Sequence, residues 1–336
     1  MREAQKYILA IESSCDDTSA SVICDGKVLS NIVSVQTAHA EYGGVVPELA
    51  SREHQLHIVP VVDTALKEAN IDKSMLNAIA FTKGPGLLGS LIVGVTFAKS
   101  LALSLDIPMV DVHHMHAHVL AHFAEEPYPK FPFLCLTVSG GHTQIIKVNA
   151  PLDMEILGQT IDDAAGEAFD KAGKMLGLPY PAGPLVDKHA QKGEAIYPFS
   201  RSKVGDLNFS FSGLKTSILY FLRDQVKKQP DFVTKELNNI CASVQAAVID
   251  MLMIKIERAA KQTGIKEIAI AGGVSANSGL RAAITSRASD LGWEAYIPAF
   301  QYCRDNAAMI GIAGYFKYLK GEFVDQNVTA QARLPF

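Results

Sequence analysis

Cysteine is scarce. Five of them (Cys15, Cys24, Cys135, Cys241 and Cys303) are spread over 336 residues with no Cys-x-x-Cys. This excludes a zinc ribbon or a disulfide framework and fits the reducing cytoplasm. Charge of one sign is missing too: 31 Lys and Arg against 35 Asp and Glu leave a net −4. The whole chain exerts no broad attraction on nucleic acid, so RNA binding must use a local basic surface or a partner. Long apolar runs are absent as well. The longest nearly apolar stretch, 86–98, ends at Lys99 and falls short of the roughly 20 residues of a membrane span. The first apolar run, Tyr7 to Ile11, is too short for a signal peptide. The expectation is a soluble cytoplasmic protein with no membrane contact.

Histidine is what the chain concentrates. Five of its ten histidines (His113, His114, His116, His118 and His122) fall within ten consecutive residues. They follow an apolar strand at 107–110 and lead into a helical stretch at 116–124. On one helix face His114, His118 and His122 form a row, with His116 pointing elsewhere. Two imidazoles one turn apart can chelate a divalent metal. A zinc protease would carry Glu directly after the first histidine as the base for water attack. Met115 stands there instead, which disfavours peptide hydrolysis.

The rest of the pattern alternates strands with helices, the mark of an α/β fold. Strands are expected at 7–12, 19–24 and 28–35, a helix at 47–70, a strand at 78–82 and a helix at 87–105. A second series opens with strands at 134–138 and 144–148. Sliding the chain by 125 residues superposes Leu9 on Leu134, Ser14 on Ser139 and Thr18 on Thr143, so two duplicated lobes are expected, at 1–130 and 131–336. The final helix is a candidate to pack back across that boundary. Residues 155–235 read as irregular apart from a helix at 164–176. Lys188, Lys192, Arg201, Lys203 and Lys215 make this region locally basic. Helices at 235–262 and 278–291 and strands at 268–271 and 294–297 follow.

Three glycine turns lie at strand ends: Gly84-Pro85-Gly86, Ser139-Gly140-Gly141 and Gly272-Gly273. Successive N–H groups in such turns can cradle a phosphate, and a strand-to-helix switch is a common nucleotide position. None has the P-loop pattern. Asp305 opens the last helix, either as its N-cap or as the carboxylate completing a two-histidine site for iron(II), zinc or manganese. Both readings stay open.

Several ordered motifs agree with one family. They are Ile11-Glu12-Ser13-Ser14-Cys15-Asp16-Asp17-Thr18, the stretch 42–52, Gly84-Pro85-Gly86-Leu87, and His114-Met115-His116-Ala117-His118. Ser139-Gly140-Gly141-His142-Thr143, the stretches 210–216 and 271–277, and Asp305-Asn306 complete the set. Over residues 7–318 they resemble the TsaD family, bacterial relatives of the catalytic subunit of the KEOPS complex. The resemblance implies two duplicated actin-like ATPase lobes, as in sugar kinases and heat-shock chaperones, around a nucleotide cleft. It implies transfer of threonylcarbamoyl from threonylcarbamoyl-AMP to N6 of adenosine 37 in tRNAs reading codons that begin with A.

The resemblance also implies one divalent metal, iron(II) or zinc, on His114, His118 and Asp305, with magnesium as an option at the phosphates. It implies substrate contacts at Thr137, Val138, Ser139, Gly140, Gly141, Asp170, Gly183, Asp187 and Asn277. Implied partners are tRNA, a TsaB-type paralogue in a heterodimer, a TsaE-type ATPase and a TsaC-type synthase that supplies the adenylate. His116 departs from the family pattern and leaves a further ligand open. Glu12, Asp16 and Asp17 are candidates to take a proton from the attacking amine. The rival readings are an ATPase or kinase of the same fold, a metalloprotease, and a non-catalytic nucleotide-dependent assembly subunit.

Overall fold

Strand β1 (Tyr7–Glu12) is buried almost throughout, then turns and returns antiparallel as β2 (Asp17–Cys24). Asp25 and Gly26, both at positive φ, make the tight turn into β3 (Lys27–Val35), the conformation that Asp-Gly hairpins favour. Helix α1 (Pro47–Glu68) opens on proline, whose missing N–H would have had no helical partner there. Strand β4 (Leu76–Gly84), helix α2 (Leu88–Leu105) and strand β5 (Met109–His113) form a parallel strand–helix–strand unit. The sheet order is β3-β2-β1-β4-β5. Helix α3 (His114–Leu120) leaves β5 with no intervening loop. It starts two residues before the expected helix. It also ends before His122, which lies in a 3-10 turn at Ala121–Phe123, so the expected row of three histidines is cut to two.

The second sheet is built from β6 (Phe133–Val138), β7 (Thr143–Ala150) and β8 (Asp153–Gln159). Helices α4 (Ala165–Met175), α5 (Gly183–Ala190), α6 (Ser212–Lys228) and α7 (Phe232–Thr263) follow. Strand β9 (Glu267–Ala271), helix α8 (Ser278–Leu291) and strand β10 (Glu294–Tyr296) complete it. Its order, β10-β9-β6-β7-β8, repeats that of the first sheet. Even the register repeats: Glu12 pairs with Ser19, and 125 residues on Thr137 pairs with Gln144. Helix α7 carries the core of this unit, with Ile240, Val244, Val248 and Leu252 fully buried one turn apart. Both α2 and α7 are long and apolar enough to cross a membrane by composition, but the apolar window of α7 is 78% buried within the fold.

Two helices, α9 (Phe300–Cys303) and α10 (Ala307–Leu319), end the chain's regular structure. The computed structural model describes residues 5–201 and 204–336. They divide into one compact unit of residues 1–128 with 298–336 and another of 129–297. Against the expected boundary between 130 and 131, the first unit also takes in 298–336, the return for which the final helix was a candidate. The reason is α10, which lies on the first sheet. A Cβ on Gly311 would collide with Ile23 Cγ1, and one on Gly314 would stand 2.5 Å from the Ala80 Cβ. The stretch expected to be irregular also holds β8, α5 and α6. Helix α6 buries Leu214, Ile218 and Leu222 at four-residue spacing, a stripe that surrounding Gly, Pro and charge had masked.

Candidate metal centre and candidate substrate turns

Strand β5 delivers α3 at its carboxyl end, and α3 places His114 and His118 one turn apart with ring centroids 4.7 Å apart. Both rings are buried. His114 Nε2 lies 3.5 Å and His118 Nε2 3.1 Å from Asp305 Oδ1. These three residues offer donor atoms that all fall within 4.8 Å of one another. Asp305 is not the N-cap of α10. Asn306 takes that role, its Oδ1 accepting the Met309 N–H at 3.0 Å. Asp305 is thereby left to face the imidazoles.

A second layer holds the first. Glu12, the one charge in β1, is fully buried. Its Oε2 accepts from Thr82 Oγ1 at 2.6 Å and lies 3.1 Å from His114 Nδ1, while its Oε1 accepts the Ser14 N–H. With one proton held on Nδ1 by the carboxylate, displacement of the other from Nε2 frees the lone pair that a metal needs. Burial alone would pull the His114 pKa down, but Asp305 and Glu12 outweigh it and raise it to about 9. Asp305 shows the reverse. Burial opposes its charge, yet His114 and His118 hold its carboxyl well below the usual range. His118 Nδ1 is buried with no hydrogen-bond partner. Two imidazole nitrogens and one carboxylate oxygen aimed at one point fit a divalent cation of borderline hardness.

His116 is turned away from this group. Its ring stacks on His113 at 4.5 Å and meets Phe336 edge-on at 4.5 Å. Burial takes the pKa of His113 down to about 3 and that of His116 to about 4. Among the candidate proton acceptors, Glu12 is committed at both oxygens. Asp16 is half-buried. Asp17 is 4% exposed, receives Arg304 Nη2 at 3.0 Å and has its Oδ1 without a partner. Burial pushes its pKa up to about 7 against the pull of Arg304.

In the second unit Thr137 and Val138 end β6 in full burial. Ser139 N donates to His142 O at 2.8 Å, closing a turn in which Gly140 and Gly141 are exposed. Gly166 of α4 packs under this turn, where a Cβ would stand 2.6 Å from Ser139 O. Gly272, at φ +85°, passes equally close to Val138 O. Asp170 accepts the N–H groups of Ala182 and Gly183 at 2.8 and 3.0 Å; burial raises its pKa in spite of them. Asp187 accepts the Ser278 N–H and hydroxyl at 3.1 and 2.5 Å. The adjacent Asn277 caps α8 and donates to Gln245 Oε1 at 2.7 Å. The fold thus joins Asp170 to Gly183 and Asp187 to the residue after Asn277, each through bonds that also hold the backbone. Lys188, Lys192, Arg201 and Lys215 are exposed, with Arg201 paired to Asp250. Lys203 lies outside the described residues.

Residues 27–312 match the family model described as TsaD, tRNA N6-adenosine threonylcarbamoyltransferase. Curated relatives of that name include proteins of Christiangramia forsetii (58% identical, covering 100% of both chains) and Riemerella anatipestifer (56%, covering 98% of both). The chain belongs to the TsaD family. It is therefore a transferase of tRNA modification. Its fold is that of the actin-like ATPases. Similar solved structures include HypF of T. kodakarensis (TM-score 0.60, 14% identity, covering 97% of this chain and 49% of that one). Component A of the Acidaminococcus fermentans (R)-2-hydroxyglutaryl-CoA dehydratase has TM-score 0.54 at 15% identity, covering 94% and 99%.

Two neighbours of the candidate centre escape a reading of motifs. Thr82 anchors Glu12, and Arg304 faces Asp17 from beside Asp305. The signal for the first was present: a lone carboxylate ending an otherwise apolar strand must find buried partners. Arg304 had no such mark, because its partner is 287 residues away.

Proposed function

We propose that this chain moves the threonylcarbamoyl group of threonylcarbamoyl-adenylate onto N6 of adenosine 37 in tRNAs that read codons beginning with A, releasing AMP. The observation that carries this is the convergence of His114 Nε2 and His118 Nε2 on Asp305 Oδ1 in a TsaD-family chain. The three residues would hold one divalent cation, iron(II) or zinc. When bound, it supplies positive charge to an anionic oxygen of the substrate.

The chain's own groups do the rest. Glu12 keeps the proton on His114 Nδ1 and so orients that ring. The backbone N–H groups of the exposed Gly140 and Gly141 receive the phosphate, in a turn that the Ser139 N–H closes on His142 O after the strand end at Thr137 and Val138. Asp170, Gly183 and Asp187 serve the ribose and Asn277 the base. The adenylate is a mixed anhydride and already activated, so no covalent nucleophile is required. The N6 nitrogen attacks the carbamoyl carbon, the bond from that carbon to the phosphate oxygen breaks, and AMP leaves with the electron pair. Catalysis then rests on alignment and on stabilising the leaving charge. Glu12 is spoken for, which leaves Asp16 and Asp17 to accept the amine proton.

The reaction draws on tRNA, a TsaB-type paralogue as heterodimer partner, a TsaE-type ATPase and a TsaC-type synthase, all in the cytoplasm. Nucleoside mass spectrometry of tRNA incubated with the adenylate, this chain and active partners tests the reading. Threonylcarbamoyladenosine is expected. Its absence, or equal product with His114 and His118 both Ala, would overturn the mechanism.

A further inference from the structure

Beyond α10 the chain runs back along the first unit. Val324 bridges Met109, Gln331 N donates to Lys83 O at 2.8 Å, and Gly86 N donates to Ala332 O at 3.2 Å. The fit is tight, since a Cβ on Gly84 would collide with Gln331 O. Ala332, Leu334 and Phe336 are half-buried, while Gln331, Arg333 and Pro335 are exposed. This is the two-residue alternation of an extended segment lying on a surface. Its inward residues end at the histidines. Leu334 O lies 3.3 Å from His113 Nε2, and the Phe336 ring meets His113 and His116 edge-on at 5.6 and 4.5 Å.

These contacts select a tautomer of His113. Its Nδ1 accepts the Met115 N–H at 3.1 Å, so its proton sits on Nε2 and is donated to Leu334 O. Both ring nitrogens are then used, one by the strap and one by the helix. His113 is the N-cap of α3, a helix of seven residues that is too short to hold its shape unaided. A side-chain cap answers one of the first-turn N–H groups of such a helix. The next residue is His114.

We propose that residues 331–336 are a positioning device for the metal ligands. The strap locks the His113 ring, and His113 fixes the first turn of α3 so that His114 and His118 aim Nε2 at Asp305. Neither Phe336 nor His113 touches the ligand group; both act through the helix. The inference rests on the metal reading of His114, His118 and Asp305.

Co(II) titration of the metal-free full chain tests it, with affinity and the visible d–d bands as readouts. The variants are Phe336→Ala, Phe336→Leu, His113→Ala and His113→Asn, all checked for wild-type circular dichroism. Wild type should bind one Co(II), and His114→Ala should bind none. Phe336→Ala and His113→Ala should bind about tenfold more weakly, with shifted bands. Phe336→Leu, which keeps bulk, should fall between. His113→Asn restores an acceptor for the Met115 N–H and should recover most of the affinity. In that background Phe336→Ala should add little, because the strap would have lost the ring through which it acts. Wild-type affinity and spectrum in both Phe336→Ala and His113→Ala would overturn this inference alone. Failure of the wild-type chain to bind Co(II) would overturn the metal reading and this inference with it.

Discussion

The turn after β1 and the turn after β6 occupy the same place in two sheets of the same strand order and register, yet they carry opposite chemistry. In the first, Glu12, Asp16 and Asp17 gather negative charge beside a pair of histidines. In the second, 125 residues on, Thr137, Gly141 and His142 stand at those positions. The first turn is filled and bonded inward, with Glu12 tied to Ser14, Thr82 and His114. The second is open: a Cβ on Gly140 or Gly141 would meet nothing within 4 Å among the described residues, and neither has a positive φ. Packing therefore does not require these glycines. What they provide is exposed backbone with no side chain over it. One scaffold gathers carboxylates and imidazoles at its turn, and its copy leaves that turn to bare glycines.

The largest effect should come from removing the cation side. His114→Ala with His118→Ala should abolish stoichiometric metal by elemental analysis and lower product formation about 10²–10³-fold, the usual loss when charge stabilisation of a leaving group is removed. The fold should survive. Full metal content in the double variant would break the comparison at its root.

Next in size is Glu12→Gln. It keeps the shape of the side chain but removes the carboxylate that holds the His114 proton. Metal affinity should fall by about 10–100-fold, read by competition with a chelator. Thr137→Val, at the matching place in the other turn, should leave metal affinity unchanged. Equal effects of the two would mean that the turns are not specialised.

The first turn should also leave a mark on stability. Burial raises the folded pKa of Asp17 to about 7 from its ordinary 3.8. A group raised in this way contributes stability fully below about pH 4, and that contribution is lost as pH climbs through 7. Metal-free wild type should therefore lose stability relative to Asp17→Asn between pH 4 and 8. The loss is about 4 kcal/mol over that whole span and about 2–3 kcal/mol between pH 5 and pH 8. Urea unfolding of both proteins at pH 5 and pH 8 measures it. A pH-independent difference would show Asp17 ionised with an ordinary pKa.

A smaller effect isolates the second turn. Gly140→Ala and Gly141→Ala have room within the chain, so melting should not change, but AMP binding should weaken by about 1–2 kcal/mol if a phosphate approaches there. Gly166→Ala does the opposite. Its Cβ would stand 2.6 Å from Ser139 O, and it should destabilise the fold by about 1–3 kcal/mol. Calorimetry with AMP and thermal unfolding separate the two behaviours.

Much of this was legible in the chain. Hairpin signals at Asp25-Gly26, the spacing of Leu9 and Leu134, and the histidine pair are local patterns, and local patterns survive into structure. What was not legible depends on distant partners. The identity of the α10 cap was undecidable between Asp305 and its neighbour Asn306, because both side chains suit an N-cap and only the imidazoles across the site break the tie. Helix α6 was hidden because its core-facing stripe of Leu214, Ile218 and Leu222 sits among glycine, serine and lysine. The final helix was a candidate to return, but where it seats on the first unit depends on small residues, Gly311 and Gly314, fitting onto a sheet laid down some 290 and 230 residues earlier at Ile23 and Ala80. No window of sequence contains that match.

The smallest expected effect concerns the surface outside both turns. The net charge of −4 gives the chain no general pull on tRNA, so a phosphate-binding surface in the second unit must be local. Lys192 follows α5 and Lys215 lies in the first turns of α6, both exposed. Arg201 is already engaged by Asp250, so part of its charge is neutralised within the protein and its share should be less. Lys192→Glu with Lys215→Glu should therefore weaken tRNA binding more than Arg201→Glu does. Each phosphate that a lysine no longer neutralises should also reduce the slope of log affinity against log salt by about 0.7–0.9. AMP affinity should stay at the wild-type value, because neither lysine belongs to the turn at Ser139-Gly140-Gly141. Filter binding at several salt concentrations gives the slope. An unchanged slope in the double variant would mean that these lysines only solvate the surface and meet no tRNA phosphate.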